Sequence, residues 1–432
     1  MIKSNIIKSL RPLPLVCCSL AIMACGEDRT HEYDEKTMTA HWMVEAMQEN
    51  YLWGDSIKSE KLGWKDYFSK PEQFLKKLTA MAPVEDNWSW CAIDTTEENH
   101  FKRGQFDYLN SYGLDFTVMT DPTGATSRQY ARITTVYPNT PAERAGLMRG
   151  DFIGAIDGSR FTSSLSSSLT SGRAHRLAVS KLGVNAEEAT YLWTQTDTVN
   201  IEKSQRVQDL PFPVARTMQW GSHMISYFFV THLDEGSSAN KSEYADQLAR
   251  QMETFRTYAP DVFILDLRLC NYGSLPQAIR MASYIVPEAT SAQNAFAQTL
   301  YRNDKQNQNQ QYFLEPSLRI TSIKRLYIIT GPYTSGAGEW LVRGLQSVTT
   351  GDVVTIYGRQ TTGQIVMTGN VPSEYYVTVH PAVAYVANGS GNYDYAEGIA
   401  PDTVINEAEY VDLYPYGDEE EVILTSILKS LQ

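Results

Sequence analysis

The chain has 432 residues, 42% of them hydrophobic and 11% aromatic, which suits two or three packed domains and excludes disorder as its theme. Its formal charge of -13 at pH 7, with no basic cluster, excludes a nucleic-acid partner, because nothing in it would neutralise a phosphate backbone. No CxxC pair and no histidine-rich ligand spacing is present, so neither a metal nor another cofactor is expected.

The first residues read as an export signal. Lys3, Lys8 and Arg11 form a basic head, and the apolar run Leu15–Ala24 is too short to cross a bilayer. The closing "AIMAC" resembles a bacterial lipobox. With residues 1–24 removed, Cys25 would carry lipid and anchor the chain to the outer membrane of the cell envelope, facing either the periplasm or the surface. The acidic "GEDRTHEYDE" that follows reads as a solvated tether and is similar to export signals of surface lipoproteins in Bacteroidota. Cys91 and Cys270 remain in the folded part. Both sit in sequences that read as buried strand ends, so two separate thiols are expected.

Residues 25–107 hold this tether and a small helical domain. In "HWMVEAMQENYLWGDSI", Trp42, Met43, Ala46, Met47 and Tyr51 recur at helical spacing. "PEQFLKKLTAMAP" reads as a second helix, with Pro71 early and Pro83 beyond its end. Residues 108–200 change to short β runs and turns: a strand over Ala131–Val136, a capped turn of helix at Thr140-Pro141, and a second strand ending at "IDG". The polar "FTSSLSSSLTSGR" reads as a loop or as a helix of this unit. Over residues 201–432 strands and helices alternate. "HMISYFFVTHL", "DVFILDLR", "RLYIIT" and "DVVTIYG" read as strands, and "SEYADQLARQMETFRTYA", "SLPQAIRMASYIV" and "GEWLVRGLQSV" as helices. That rhythm predicts an α/β core with a largely parallel sheet.

"YPNTPAERAGLMRGDFIGAIDG" carries the turn and helix residues of PDZ domains at their spacing. The resemblance implies peptide binding by strand addition, with "YGLDF", Tyr112, Gly113, Leu114, Asp115 and Phe116, where a carboxylate-capturing loop would lie. "ENYLWGDSI", "FILDLRLCNYGSL" and "YDYAEGIAPD", together with this PDZ pattern and the domain order, resemble the tail-specific or C-terminal processing serine peptidases of family S41. The fold then implied is multidomain: a small helical N-terminal part, a PDZ-like β-rich domain and an α/β peptidase core of the ClpP/crotonase kind.

The family uses a serine nucleophile and a lysine base, which works as a base only where burial depresses its pKa. In "T-S-G-A-G-E", Thr334 to Glu339, the position three before the glutamate is Gly336, and Ser335 falls one place early. In "G-R-Q-T-T-G-Q", Gln364 takes the place of the base, and an amide has no titratable nitrogen. Gly273 and Ala337 align with the oxyanion donors. The reading is therefore of a peptidase-like envelope lipoprotein that binds extended peptides or C-terminal tails, with Gly336 and Gln364 at the dyad positions. Alternatives are an active endopeptidase using Ser335, to which His232 is a conceivable base, and a non-enzymatic adaptor or uptake component. Glu339, in the first turn of a helix, is also explained by the helix dipole alone.

Overall fold

The computed structural model describes residues 30–93, 108–185, 190–208, 210–237, 239–287, 294–302 and 309–432. The signal segment, Cys25 and the start of the acidic stretch lie outside them. Three units follow one another in the chain.

The first is helical. α1 (Thr30–Asn50) buries Met43, Val44 and Met47, and α2 (Pro71–Thr79) buries Phe74, Leu75 and Leu78. Pro71 opens α2, where its missing N–H costs nothing. α1 starts inside the stretch read as a tether, so Asp34 and Glu35 lie in its early turns, where acids are favoured. β1 (Trp90–Ile93) closes the unit and holds Cys91, which is half-buried rather than buried.

The second unit is β-rich. Its strands are β2 (Tyr108–Ser111), β3 (Leu114–Thr120), β4 (Gln129–Val136), β5 (Phe152–Ile156), β6 (Ser159–Arg160), β7 (His175–Asn185), β8 (Thr190–Ile201) and β9 (Gln205–Gln208). α3 (Pro141–Arg144) is capped by Thr140 Oγ1, which accepts from Glu143 N. The order β3-β4-β5-β7-β8 makes an antiparallel sheet with β6 beside β5, and β3 lies at its edge. The polar serine tract folds as a 3₁₀ helix over Ser163–Thr170. β2 and β9 pair with each other, so the chain enters and leaves this unit through one antiparallel clasp.

The third unit is the α/β core. β10 (Val214–Trp220) and β11 (His223–Phe229) form a hairpin, followed by α4 (Glu243–Tyr258), β12 (Val262–Asp266) and α5 (Leu275–Ile285). β13 (Ala295–Tyr301), β14 (Asn309–Tyr312), β15 (Arg325–Thr330), α6 (Ala337–Gln346) and β16 (Val354–Gly358) come next. β17 (Val366–Thr368), β18 (Val371–Pro372), β19 (Val377–His380), β20 (Ala382–Asn388), β21 (Thr403–Val404) and α7 (Val422–Ser430) complete it.

The main sheet runs β10-β11-β12-β15-β16-β21 and is parallel except for the β10–β11 pair. Its apolar strands are buried on both faces, as parallel strands must be. Phe228, Phe263, Leu265 and Ile328 pack with α4, α5 and α6, whereas Tyr227, Phe229, Ile264 and Ile329 pack with α7. An antiparallel sheet, β14-β13-β20-β17, lies beyond α6, and β1-β19-β18 joins the helical unit to the core.

The β-rich unit is moored to the core by charge. Arg149 donates to Tyr414 O at 2.5 Å and pairs with Glu407, and Arg132 donates to Tyr410 O at 2.6 Å. From the core side, Arg268 reaches the same Glu407 at 2.5 Å, Glu421 at 2.8 Å and Asp266 at 2.7 Å. The Tyr416 ring lies 4.2 Å from the Arg149 guanidinium and 5.0 Å from that of Arg268.

Candidate functional site

The C-terminal ends of parallel strands are where an α/β sheet presents its chemistry. Three loops meet there: 267–274 after β12, 331–336 after β15, and 359–365 after β16. Thr334 fastens the first two, its Oγ1 donating to Leu267 O at 2.8 Å and accepting from Gly331 N. Ser335 N donates to Cys270 O at 2.9 Å, and Thr362 N to Thr334 O at 3.0 Å.

Gly336 makes the sharp turn from this loop into α6, at φ +53° and ψ −115°. A side chain is strained in that conformation by about 1–3 kcal/mol. A Cβ added there would lie 3.2 Å from Gln364 Oε1 and 3.5 Å from its Nε2, so the direction in which residue 336 would project meets the amide of residue 364. Ser335 is buried, and its Oγ donates to Gln364 Oε1 at 2.8 Å. Gln364 Nε2 donates in turn to Val366 O at 3.1 Å, which fixes the amide's orientation. The amide oxygen accepts the serine hydrogen bond without becoming able to take the proton.

Glu339 organises this turn, a role beyond the helix dipole. It is fully buried. Oε1 accepts from Thr361 Oγ1 and from Gly363 N at 2.6 Å; Oε2 accepts from Gln364 N at 2.7 Å and Gly336 N at 3.2 Å. One carboxylate thereby locks the loops that carry residues 336 and 364. Burial pushes its pKa above the usual carboxylate range, and the four donors only partly offset this. Thr361 is held by Ile399 N, which donates to its Oγ1 at 2.7 Å, and Asp402 Oδ2 accepts from Ile356 N, so the closing "GIAPD" segment braces the same loop.

Gly273 has φ +142°, and a Cβ there would fall 2.5 Å from the Leu233 carbonyl carbon; only glycine fits. Among the described residues neither the Gly273 N–H nor the Ala337 N–H has an acceptor. His232 is buried and stacked on Tyr272 at 4.7 Å, and its Nδ1 accepts from Asp234 N. It does not meet Ser335, whose hydroxyl goes to Gln364. Cys270 is a free, buried thiol whose pKa burial raises, so it is no nucleophile.

A cavity of about 660 Å³ lies between the starts of these three loops and the β-rich unit. It is lined on one side by Asn271, Pro332 and Tyr333, and on the other by Leu114, Asp115 and Phe116 of β3. Tyr112 is buried and Gly113 turns at φ +77° ahead of that edge strand. Among the described residues no group of acids, histidines and cysteines could hold a metal ion.

Residues 227–405 match the model of peptidase family S41, and residues 38–90 that of the peptidase S41 N-terminal domain. No curated protein matches the chain. Among solved structures, the chain is similar to a protein of Bacteroides fragilis NCTC 9343 named as a candidate S41 protease. Their identity is 27% and their TM-score 0.79, over 90% of this chain and 96% of that one. It is also similar to a photosystem II D1 C-terminal processing protease, at 17% identity and a TM-score of 0.47 over 88% of this chain and 95% of that one. Mature CPAF gives 10% identity and a TM-score of 0.47, covering 93% of this chain and 97% of that one.

Proposed function

Because the chain belongs to peptidase family S41, we propose that it is a peptide-binding member of that family in which hydrolysis has been lost. The observation that carries this reading is the facing pair Gly336 and Gln364. A nucleophile would stand where there is no side chain, and a base where there is an amide. Ser335, one residue early, has its hydroxyl bonded to that amide, and its oxygen gains no nucleophilicity because no proton can leave. The free N–H groups of Gly273 and Ala337 still suit a peptide carbonyl, so the scaffold keeps a means of holding a chain it does not cut.

The β-rich unit acts in this reading as a PDZ-like module. An extended peptide adds to the open edge of β3, with its end near Tyr112–Phe116, and its body lies in the cavity and continues toward the elbow, the Gly336 turn into α6. Cys25 carries lipid and holds the protein on the outer membrane, facing the periplasm or the surface. The partner is polypeptide, not nucleic acid.

The test uses the chain lacking its first 25 residues. It should bind extended peptides in a fluorescence-anisotropy assay and release no fragments from denatured casein over many hours. Cleavage that disappears in Ser335→Ala would overturn the reading in favour of an active endopeptidase. Lipidation is checked separately, by incorporation of labelled palmitate that is lost in Cys25→Ala.

A further inference from the structure

A second cluster of hydroxyl, imidazole and carboxylate lies in the β-rich unit, away from the elbow. His175, the first residue of β7, has Nδ1 2.7 Å from Asp157 Oδ2 and Nε2 2.8 Å from Ser171 Oγ. A carboxylate only accepts, so Asp157 takes the Nδ1 hydrogen and leaves the Nε2 lone pair facing the serine. Asp157 is fixed in turn: it sits at φ +50° between β5 and β6, and its Oδ1 accepts from Arg176 N at 2.8 Å. Residues 175 and 176 of one strand thus supply both the imidazole and the bond that orients its carboxylate.

Exposure is distributed as nucleophilic chemistry needs. The His175 side chain is 9% exposed and rests near the Tyr112 ring, at 6.3 Å, whereas Ser171 is open to solvent. The serine hydrogen has a second acceptor, Ser168 O at 2.9 Å, so the hydroxyl is shared between a carbonyl and a base. Tyr112 donates its own hydrogen to Arg173 O, with its oxygen 3.3 Å from Ser171 Oγ. The N–H of Gly172, the residue after the serine, has no acceptor among the described residues. Thr170, the residue before it, lines the interdomain cavity beside Leu114 and Phe116.

We propose that Ser171, His175 and Asp157 form a second site, a histidine-based one, which hydrolyses short-chain carboxylic esters. The acyl group lies at the Thr170 end of the cavity, against Leu114 and Phe116. Ser171 Oγ adds to the ester carbonyl carbon while its proton passes to His175 Nε2. The imidazolium, paired with Asp157, gives that proton to the departing alkoxide as the carbon–oxygen bond breaks, leaving the acyl group on Ser171. Water then adds to the acyl carbon and gives a proton to Nε2. The Ser171–acyl bond breaks, the carboxylic acid leaves, and the proton returns to the serine. Gly172 N–H stabilises the oxyanion in both halves, and with that one donor the turnover is slow.

The experiment follows turnover of p-nitrophenyl acetate and covalent capture of a fluorophosphonate probe by the purified chain, with the adduct located by peptide mass spectrometry. The expected result is one phosphonylated serine, Ser171, and a burst of nitrophenolate. Both should be lost in Ser171→Ala, and capture should slow by about 10²-fold in His175→Gln. Asp157→Asn, at a side chain that is 56% exposed, should slow capture with the fold intact by circular dichroism, which keeps the test decisive if His175→Gln does not fold. Failure to label Ser171 in the folded chain, or capture unaffected by both variants, overturns the proposal. An adduct at Ser335 with Ser171 unlabelled overturns the proposal and also counts against the loss of hydrolysis at the elbow, whereas an adduct at Ser171 alone supports both readings.

Discussion

At the scale of single residues, the turn into α6 leaves a hydrogen where a side chain at position 336 would face Gln364. The Cβ direction of Gly336 and the amide of Gln364 converge within 3.5 Å, so a serine and a lysine placed there would meet. The double variant Gly336→Ser, Gln364→Lys should therefore raise casein hydrolysis by about 10²-fold over the parent, with neither single change sufficient, as fluorescent-peptide release would measure. Glu339 supports a second prediction. Replacing one oxygen by an amide NH₂ in Glu339→Gln sets donor against donor, and should cost about 1–3 kcal/mol in urea titration. Its pH dependence has a definite sign. A carboxyl whose pKa is raised on folding contributes stability below its ordinary pKa and loses it as pH rises through the raised value. Stability of the parent should fall over that window, and the fall should be absent in Glu339→Gln.

At the scale of elements, legibility followed locality. The strands of the parallel sheet are uninterrupted apolar runs such as Val262–Asp266, and the helices between them carry their own spacing, so both are visible in sequence. The antiparallel sheet behind α6 is not, because Ala295–Tyr301 finds its partner at Ala382–Asn388 and no short-range signal links them. The same distance hides the clamp: Glu339 is visible as a residue, but its partners Thr361, Gly363 and Gln364 come together only through folding. Ser335 and Gln364 can be placed from sequence because each sits in a short motif with fixed spacing. For the edge strand β3, half-buried Phe116 lines the cavity without belonging to the innermost core. Phe116→Asp should thus weaken peptide binding by at least about tenfold in anisotropy titration, with little change in melting temperature.

At the scale of the whole molecule, the mooring between units is a shared carboxylate. Burial alone would raise the pKa of Glu407, but the guanidinia of Arg268 and Arg149 outweigh it and draw it down to about 2. A depressed carboxyl contributes stability above its ordinary pKa and loses it as pH falls toward the folded value. Between about pH 4.5 and 2 the β-rich unit should therefore loosen from the core, seen as increased hydrogen exchange at Arg132–Thr135 and Glu407–Tyr416 ahead of global unfolding. Glu407→Gln should bring the same loosening to neutral pH, since both arginines would then face each other less well compensated.

The clasp of β2 with β9 bears on descent and redesign. An insertion whose two ends already pair, Tyr108 against Gln208 and Ser111 against Gln205, leaves almost no gap when it is removed. A short turn would close the remaining chain, and another module with adjacent termini would fit the same socket. The β-rich unit and the α/β core are therefore separable by a single splice, so a lineage can exchange one while keeping the other.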